Sequence, residues 1–146
     1  MGKKLRIDGD TIQWALNSGP DEIEWFLDLE TGEVIPWEDA GITDIAEQVD
    51  DPHEDAERYQ PIEPLSSPQA WSIRADFVET VRDSGLRARL RDALDGKGAF
   101  RRFKHELGAD REEEQRWFAF EEERLLAAAR EQLHEDGIEA EFVRRR

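Results

Sequence analysis

The chain has 146 residues, which fits one domain, and its lack of cysteine excludes disulfides, thiolate catalysis and cysteine-ligated zinc. No apolar run follows the basic residues of the N-terminus, so we expect a cytoplasmic protein without a signal peptide or membrane span. The net charge of −16 argues against broad nucleic-acid binding, because phosphate backbones repel an acidic surface.

The first predicted element is a short helix. Asp10 and Gln13 have the three-residue spacing of a capping box, and apolar residues follow at helical intervals. Gly19-Pro20 is a typical helix stop. The sequence therefore predicts a helix over about residues 11–17.

The next predicted element is a β-hairpin. Apolar residues alternate with mostly polar ones over residues 23–29, which is the period-2 pattern of a strand. Gly32 suits the turn, and residues 34–37 form the returning strand. Trp25 and Phe26 point to opposite faces of the hairpin, so we expect helices to cover both faces; the alternative is an exposed interaction patch.

An acidic segment follows over residues 38–57, and we predict a loop there. His53 followed by Glu54 is typical of metal-binding helices, but the second histidine of such a motif is missing. The segment also lacks the central glycine and the length of a calcium loop. Residues 59–62 predict a short strand, which Pro61 confines to a sheet edge.

From residue 66 onwards the apolar pattern becomes helical and predicts four helices. Their start and stop signals are Ser67-Pro68, Asp83 or Ser84, Gly96 with Gly98, Gly108, and Gly137 after a long helix from about 111 to 136. The predicted inward residues are Trp71, Ala75, Phe77, Val78, Val81, Leu86, Leu90, Ala93, Leu94, Phe100, Phe103, Leu107, Trp117, Phe118, Leu125, Leu126, Ala129 and Leu133.

Together these elements predict an α+β fold in which a small antiparallel β-hairpin or sheet packs against a bundle of about four helices. We expect a single domain over the whole chain. Its parts are the N-terminal helix and hairpin at 8–37, the acidic loop at 38–57 and the helical part at 66–137.

The charges are unevenly distributed along the chain. Residues 1–66 carry 4 basic and 18 acidic side chains, whereas residues 82–104 carry 8 basic and 3 acidic ones. Within the second stretch, residues 97–104 form what we call the basic island. Amides at a helix start attract anions, and arginine binds phosphate or carboxylate with two donors. The candidate residues for binding an anion or an acidic partner are Lys97, Gly98, Arg101, Arg102 and Lys104.

A purely structural interpretation of the basic island competes with the functional one. Gly96 and Gly98 are explained as helix breaks, and Phe100 and Phe103 as core residues. In that case the cations only neutralise nearby acidic surfaces. If the basic side chains converge on an open concavity, the functional interpretation is favoured; if each pairs with a carboxylate, the structural one is.

Several motifs together resemble a known family. They are Trp25–Ile35 (WFLDLETGEVI), Ala75–Val78 (ADFV), Gly96–Lys104 (GKGAFRRFK), Trp117-Phe118 and Gly137–Glu139 (GIE). The sequence resembles the bacterial group called uncharacterised protein family 0158, and the resemblance spans nearly the whole chain. It implies a single intracellular bacterial domain, and it supplies no reaction, cofactor or catalytic position to carry over.

Three functions remain open from the sequence. The first is a non-enzymatic intracellular binding or regulatory module that holds an anion or acidic partner with the basic island. The alternative is an acidic interaction protein that docks a basic partner through residues 1–66. The third is an enzyme on a phosphorylated small molecule that uses His105 or a carboxylate. We predict no catalytic residue, metal ligand or cofactor.

Overall fold

The computed structural model describes residues 3–18, 23–37 and 51–144, and the elements within these ranges confirm the α+β class. They are β1 (Lys3–Asp8), α1 (Gly9–Asn17), β2 (Glu24–Asp28), β3 (Val34–Trp37), a 3₁₀ turn (Pro52–Glu54), β4 (Tyr59–Ile62), α2 (Ser67–Val78), α3 (Ser84–Ala93), α4 (Ala99–Leu107), α5 (Arg111–Glu135) and β5 (Ile138–Val143). No helix among the described residues is long and apolar enough to cross a membrane. Residues 38–50 of the predicted acidic loop, and the predicted Gly19-Pro20 stop, lie outside the described ranges.

The chain groups into two compact units. The first unit combines Met1–Leu65 with Leu125–Arg146, and the second is Ser66–Arg124. Helix α5 contributes residues to both units. The expectation of one domain over the whole chain stays a prediction.

The first unit contains the predicted hairpin as part of a three-stranded antiparallel sheet. The strand order is β3-β2-β4, so β4 lies at an edge, as Pro61 predicted. Leu27 is buried in the core of the unit, and Phe26 is buried on the opposite face. The ring of His53, from the 3₁₀ turn, packs edge-on to Phe26 at 5.2 Å. Leu27 and Phe26 are therefore both buried, but the contact on the Phe26 face comes from a 3₁₀ turn and not from a predicted helix.

A second, parallel strand pair was not predicted. Strand β1 pairs with β5, with Leu5 opposite Ala140 and Ile7 opposite Phe142. Each strand alternates apolar and polar residues, but both are short and more than a hundred residues apart. Local periodicity does not reveal such a distant pairing. The core of this unit includes Leu5, Ile7, Ile12, Ala15, Leu16, Leu27, Val34, Ile62, Leu125, Ala129, Leu133 and Ile138.

Helix α1 begins earlier than the sequence predicted. Asp8, in an extended conformation, is the N-cap, and its carboxylate accepts a hydrogen bond of 3.0 Å from the Asp10 amide. The predicted capping box between Asp10 and Gln13 is wrong, because the Gln13 side chain donates to the Gly9 carbonyl oxygen instead. An aspartate at position 8 or at position 10 fits the preference for aspartate at an N-cap, and the end of β1 at Asp8 determines which one caps the helix.

Helix α2 begins with a complete capping box, one residue before the predicted Ser67. The Ser66 hydroxyl accepts a hydrogen bond from the Gln69 amide, and the Gln69 side chain accepts one from the Ser66 amide. Asp83, one of the two predicted caps of α3, accepts a hydrogen bond of 3.0 Å from the Leu86 amide.

The second unit is built around an aromatic cluster. The Phe77 ring lies within 6.4 Å of the Phe103, Trp117 and Phe120 rings, measured between centroids. Edge-to-face geometry at these separations adds to the stabilisation from buried area. Around the cluster, the buried residues of this unit include Ile73, Val78, Val81, Leu86, Leu90, Ala93, Leu94, Ala99 and Leu107.

Candidate functional site

The basic island lies on the turn between α3 and α4 and on α4 itself. Gly96 and Gly98 have φ angles of +81° and +74°, a conformation that side-chain-bearing residues adopt only with strain. Gly98 is the N-cap of α4. Because glycine has no side chain, no side-chain hydrogen bond from the N-cap residue reaches the first backbone amides of the helix. Phe103 and Leu107 bury one face of this helix, which leaves the basic side chains on its outer faces.

Arg102 acts within the fold. Its guanidinium donates hydrogen bonds to the backbone carbonyl oxygens of Lys97 and Asp95. These bonds tie the turn before α4 to the first part of that helix. Arg102 therefore stabilises the platform of the basic island, and much of its donor capacity is already used.

The other three cations of the island are not used in this way. Lys97, Arg101 and Lys104 are exposed, and none of them makes an ion pair with any described residue. Other arginines of the second unit do: Arg74 pairs with Glu121, Arg89 with Glu106, Arg91 with Glu79, Arg116 with Glu113 and Arg124 with Asp76. Within the described chain, Arg102 is therefore used by the fold, whereas Lys97, Arg101 and Lys104 have no ion-pair partner.

One concavity lies between α3 and α4 and has a volume of about 570 Å³. It is lined by Arg89, Asp92, Ala93, Arg101, Arg102, His105 and Glu106. Glu106 is engaged by Arg89, with an Nε to Oε2 distance of 3.5 Å. Arg101 and Arg102 thus line the same concavity, while Lys104 is not among its lining residues.

Two further grooves lie beside Phe100 and Arg101, which line both of them. The first, of about 550 Å³, is lined by Ser67, Pro68, Trp71, Gly96, Gly98, Ala99, Phe100 and Arg101. The second, of about 410 Å³, is lined by Arg74, Phe100, Arg101, Phe103, Lys104, Leu107, Glu114, Trp117, Phe118 and Glu121. We call the two grooves together the aromatic surface.

Three residues of the aromatic surface correct the sequence prediction. Trp71, Phe100 and Phe118 were predicted to point inward, but they are 44%, 38% and 49% exposed. On α4, Phe103 and Leu107 fill the inward stripe, and Phe100 lies at its edge. Adjacent positions on a helix diverge by about 100°, so Phe118 cannot share the inward direction of Trp117.

A largely buried cation, Arg74, is among the residues lining the second groove of the aromatic surface. The Arg74 guanidinium is 4.1 Å from the centroid of the Phe100 ring and 5.3 Å from that of Trp117. Burial lowers the pKa of Arg74, and the Glu121 carboxylate, 3.9 Å away, acts in the opposite direction. No local sequence pattern indicates this arrangement, because it depends on three separate helices.

His53 and two carboxylates form a polar cluster in the first unit. Its Nδ1 lies 2.7 Å from Asp51 and its Nε2 lies 2.9 Å from Glu24, and its ring packs edge-on to Phe26 and Trp37. The hydrogen bonds that its ring makes to the Asp51 carboxylate and then to the Glu24 carboxylate raise the pKa of His53. His53 tethers the 3₁₀ turn to β2. Among the described residues, no group of three or more histidine, cysteine, aspartate or glutamate side chains is placed to hold a metal ion.

The sequence of the chain is similar to those of known proteins. The sequence pattern of the Uncharacterised protein family (UPF0158) matches residues 4–145. The UPF0158 protein PA5073 of Pseudomonas aeruginosa is 31% identical over 143 residues, an alignment that covers 94% of this chain and 87% of that protein. No solved structure matches the chain.

Proposed function

The chain belongs to the uncharacterised protein family UPF0158, and we propose that it is a non-enzymatic binding module whose basic island holds an anionic partner. One observation carries the proposal. On a chain of net charge −16, Lys97, Arg101 and Lys104 make no ion pair with any described residue.

Unpaired cations on such a chain retain their capacity for a partner. Carboxylates are abundant, and five neighbouring arginines have recruited one each. A partner's phosphate or carboxylate meets Arg101 without first displacing an internal one, so the interaction costs little reorganisation. Charge-assisted contacts of this kind favour specificity and rapid association, and salt weakens them.

The surroundings of Arg101 are suited to binding. Arg102 holds the turn before α4, and that helix carries Arg101 and Lys104. Asp92 and Glu106 are the carboxylates of the concavity beside Arg101, and Glu106 is paired with Arg89. A proton-transfer role needs a free acid or base at the reacting group; Glu106 is engaged by Arg89, which leaves Asp92 and His105 as the groups of this concavity that the enzyme alternative would use.

Chemical-shift mapping tests the proposal. We expect hexaglutamate and inorganic pyrophosphate each to perturb the backbone amides of residues 97–104 and the side-chain resonances of Arg101. Hexaglutamine, which has the same length and no charge, should leave them unchanged. Raising the salt from about 0.05 M to about 0.5 M should reverse the perturbation, because the Debye length falls several-fold.

Perturbations confined to cations outside the basic island, or equal responses to hexaglutamate and hexaglutamine, would remove the proposal. A response to pyrophosphate alone would place the partner among phosphate-bearing molecules. A response to hexaglutamate alone would place it among acidic polypeptides.

A further inference from the structure

The aromatic surface exposes three large aromatic rings that the core of the second unit does not enclose. Trp71, Phe100 and Phe118 come from three different helices and line two grooves that share Phe100. The indole Nε1 of Trp71 donates a hydrogen bond of 2.8 Å to the Leu94 carbonyl oxygen, so this ring is fixed in place while its face stays accessible. Grouped exposed aromatic residues mark interaction sites, whereas single ones carry no such meaning.

Arg101 is the one charged residue among the described residues lining the first groove, and the unpaired charges lining the second are two cations, Arg101 and Lys104, and one carboxylate, Glu114. Arg101 lines both grooves and Lys104 lines one, and neither pairs with a described carboxylate. Of the two acidic residues lining the second groove, Glu121 is opposed by the largely buried Arg74 at 3.9 Å, so the two unpaired cations outnumber the remaining carboxylate of Glu114. Apolar grooves with a cation on the ridge between them complement a partner whose apolar groups are separated by negative charge.

From this geometry we infer that the aromatic surface binds an acidic polypeptide segment through two apolar side chains, one in each groove, with a carboxylate between them on Arg101. The inference rests on the proposed function, since it uses the same Arg101, and it adds the class of partner. Aromatic residues that fill or line such grooves supply most of the binding energy at interfaces of this kind.

A single-stranded nucleic acid is the competing occupant, because bases stack on exposed rings. The overall charge favours the peptide. Each added phosphate of a polynucleotide increases repulsion from a chain of net charge −16, whereas a short peptide confines its negative charge to the unpaired cations.

The test compares two peptides by calorimetry. One is an acidic peptide with two leucines separated by glutamates, and the other carries serine in place of both leucines. We expect the leucine peptide to bind about tenfold more tightly, since burying two such side chains contributes more than 1.4 kcal/mol. The Trp71 indole N–H resonance should shift with the leucine peptide and stay in place with the serine peptide.

A matched pair of variants locates the effect. Phe118→Ala should weaken the leucine peptide about tenfold and leave the serine peptide unchanged. Trp14→Ala removes another exposed ring, 71% exposed on α1 in the first unit, and should change neither affinity. Both ring losses are at exposed positions, so folding should survive in each variant.

The outcomes separate this inference from the proposed function. Equal binding of both peptides at the basic island overturns the inference and leaves the proposed function standing. Binding of neither peptide also overturns the inference, and it overturns the proposed function as well if pyrophosphate leaves residues 97–104 unperturbed. A Phe118-dependent affinity for oligothymidylate above that for the leucine peptide replaces the peptide with nucleic acid. Phe118-dependent self-association replaces it with a second copy of the chain.

Discussion

At the residue scale, Asp28 is a charged side chain that is buried in the sheet of the first unit. It is 5% exposed and accepts hydrogen bonds from Arg58 (3.2 and 3.0 Å) and from the Glu30 amide (2.9 Å). Burial acts to raise the pKa of Asp28, but the hydrogen bonds from Arg58, Glu30 and Thr31 outweigh it and the pKa is lowered. Asp28 thus joins the hairpin turn to the chain before β4, and an ionised carboxylate there is stable only with these partners.

Removing this carboxylate should destabilise the protein in a pH-dependent way. Asp28→Ala should lower the free energy of unfolding by about 2–3 kcal/mol at neutral pH, because hydrogen bonds to a buried charge are lost. A lowered folded-state pKa stabilises the fold above the unfolded value of about 3.9, and this stabilisation is lost as pH falls through the folded-state pKa. Urea denaturation from pH 7 down to pH 3 should show the wild-type advantage shrinking.

Glu141→Ala provides the control for Asp28→Ala. Glu141 pairs with Arg6 at 3.4 Å, and both side chains are largely exposed, so its loss should change stability by no more than about 0.5 kcal/mol. A penalty for Asp28→Ala that is independent of pH, or that is no larger than for Glu141→Ala, would contradict this account of Asp28.

At the element scale, Gly32 shows how a turn and a strand are fitted together. Gly32 and Gly96 have the same φ of +81°, but their surroundings differ. A methyl group on Gly32 would collide with the backbone carbonyl oxygen of Arg6 in β1, whereas nothing lies within 4 Å of one on Gly96. The hairpin turn therefore packs directly against the backbone of the parallel strand pair.

The two glycines give a matched comparison of alanine substitutions. Gly96→Ala should cost about 1–2 kcal/mol, the strain of a left-handed backbone conformation. Gly32→Ala carries the same strain and must also displace β1, so its cost should exceed about 3 kcal/mol. Equal changes in the midpoints of thermal unfolding for the two variants would show that the contact with Arg6 is unimportant.

How much of each element the sequence predicted depends on the range of the interactions that form it. The hairpin and the helices from residue 67 onwards follow from local alternation, helical spacing and glycine stops, and they were predicted. The β1–β5 pair depends on a contact between the two ends of the chain and was missed. The N-caps at Asp8 and Ser66 were misplaced by one or two residues, because adjacent polar residues satisfy the same rule.

At the scale of the whole molecule, the negative charge is concentrated in the first unit. Residues 66–124 carry 12 basic and 13 acidic side chains, and the rest of the chain carries 8 basic and 23 acidic ones. The sequence alone identified the contrast and the five candidate residues of the basic island. It did not distinguish Arg102, whose donors are used by the backbone, from Arg101, since that difference depends on the geometry of the turn.

The aromatic surface also required the folded chain. Trp71 and Phe100 fall at positions that helical spacing assigns to a core, and Phe118 is adjacent to the inward Trp117, but all three rings are exposed while the cluster around Phe77 forms the interior. Helical periodicity predicts only roughly the direction in which a side chain points around the helix axis. The packing of the three helices then decides which rings stay outside.

The central claim is that local cations, and not the overall charge, hold an anionic partner, and a pair of charge reversals tests it most directly. Arg101→Glu and Arg82→Glu change the net charge equally. Arg82 is exposed, makes no ion pair with a described residue and lines none of the three concavities described above. In calorimetric titration with hexaglutamate at low salt, Arg101→Glu should weaken binding by about tenfold or more, and Arg82→Glu by less than about twofold. Equal losses in the two variants would contradict the claim and leave only the overall charge of the molecule to explain binding.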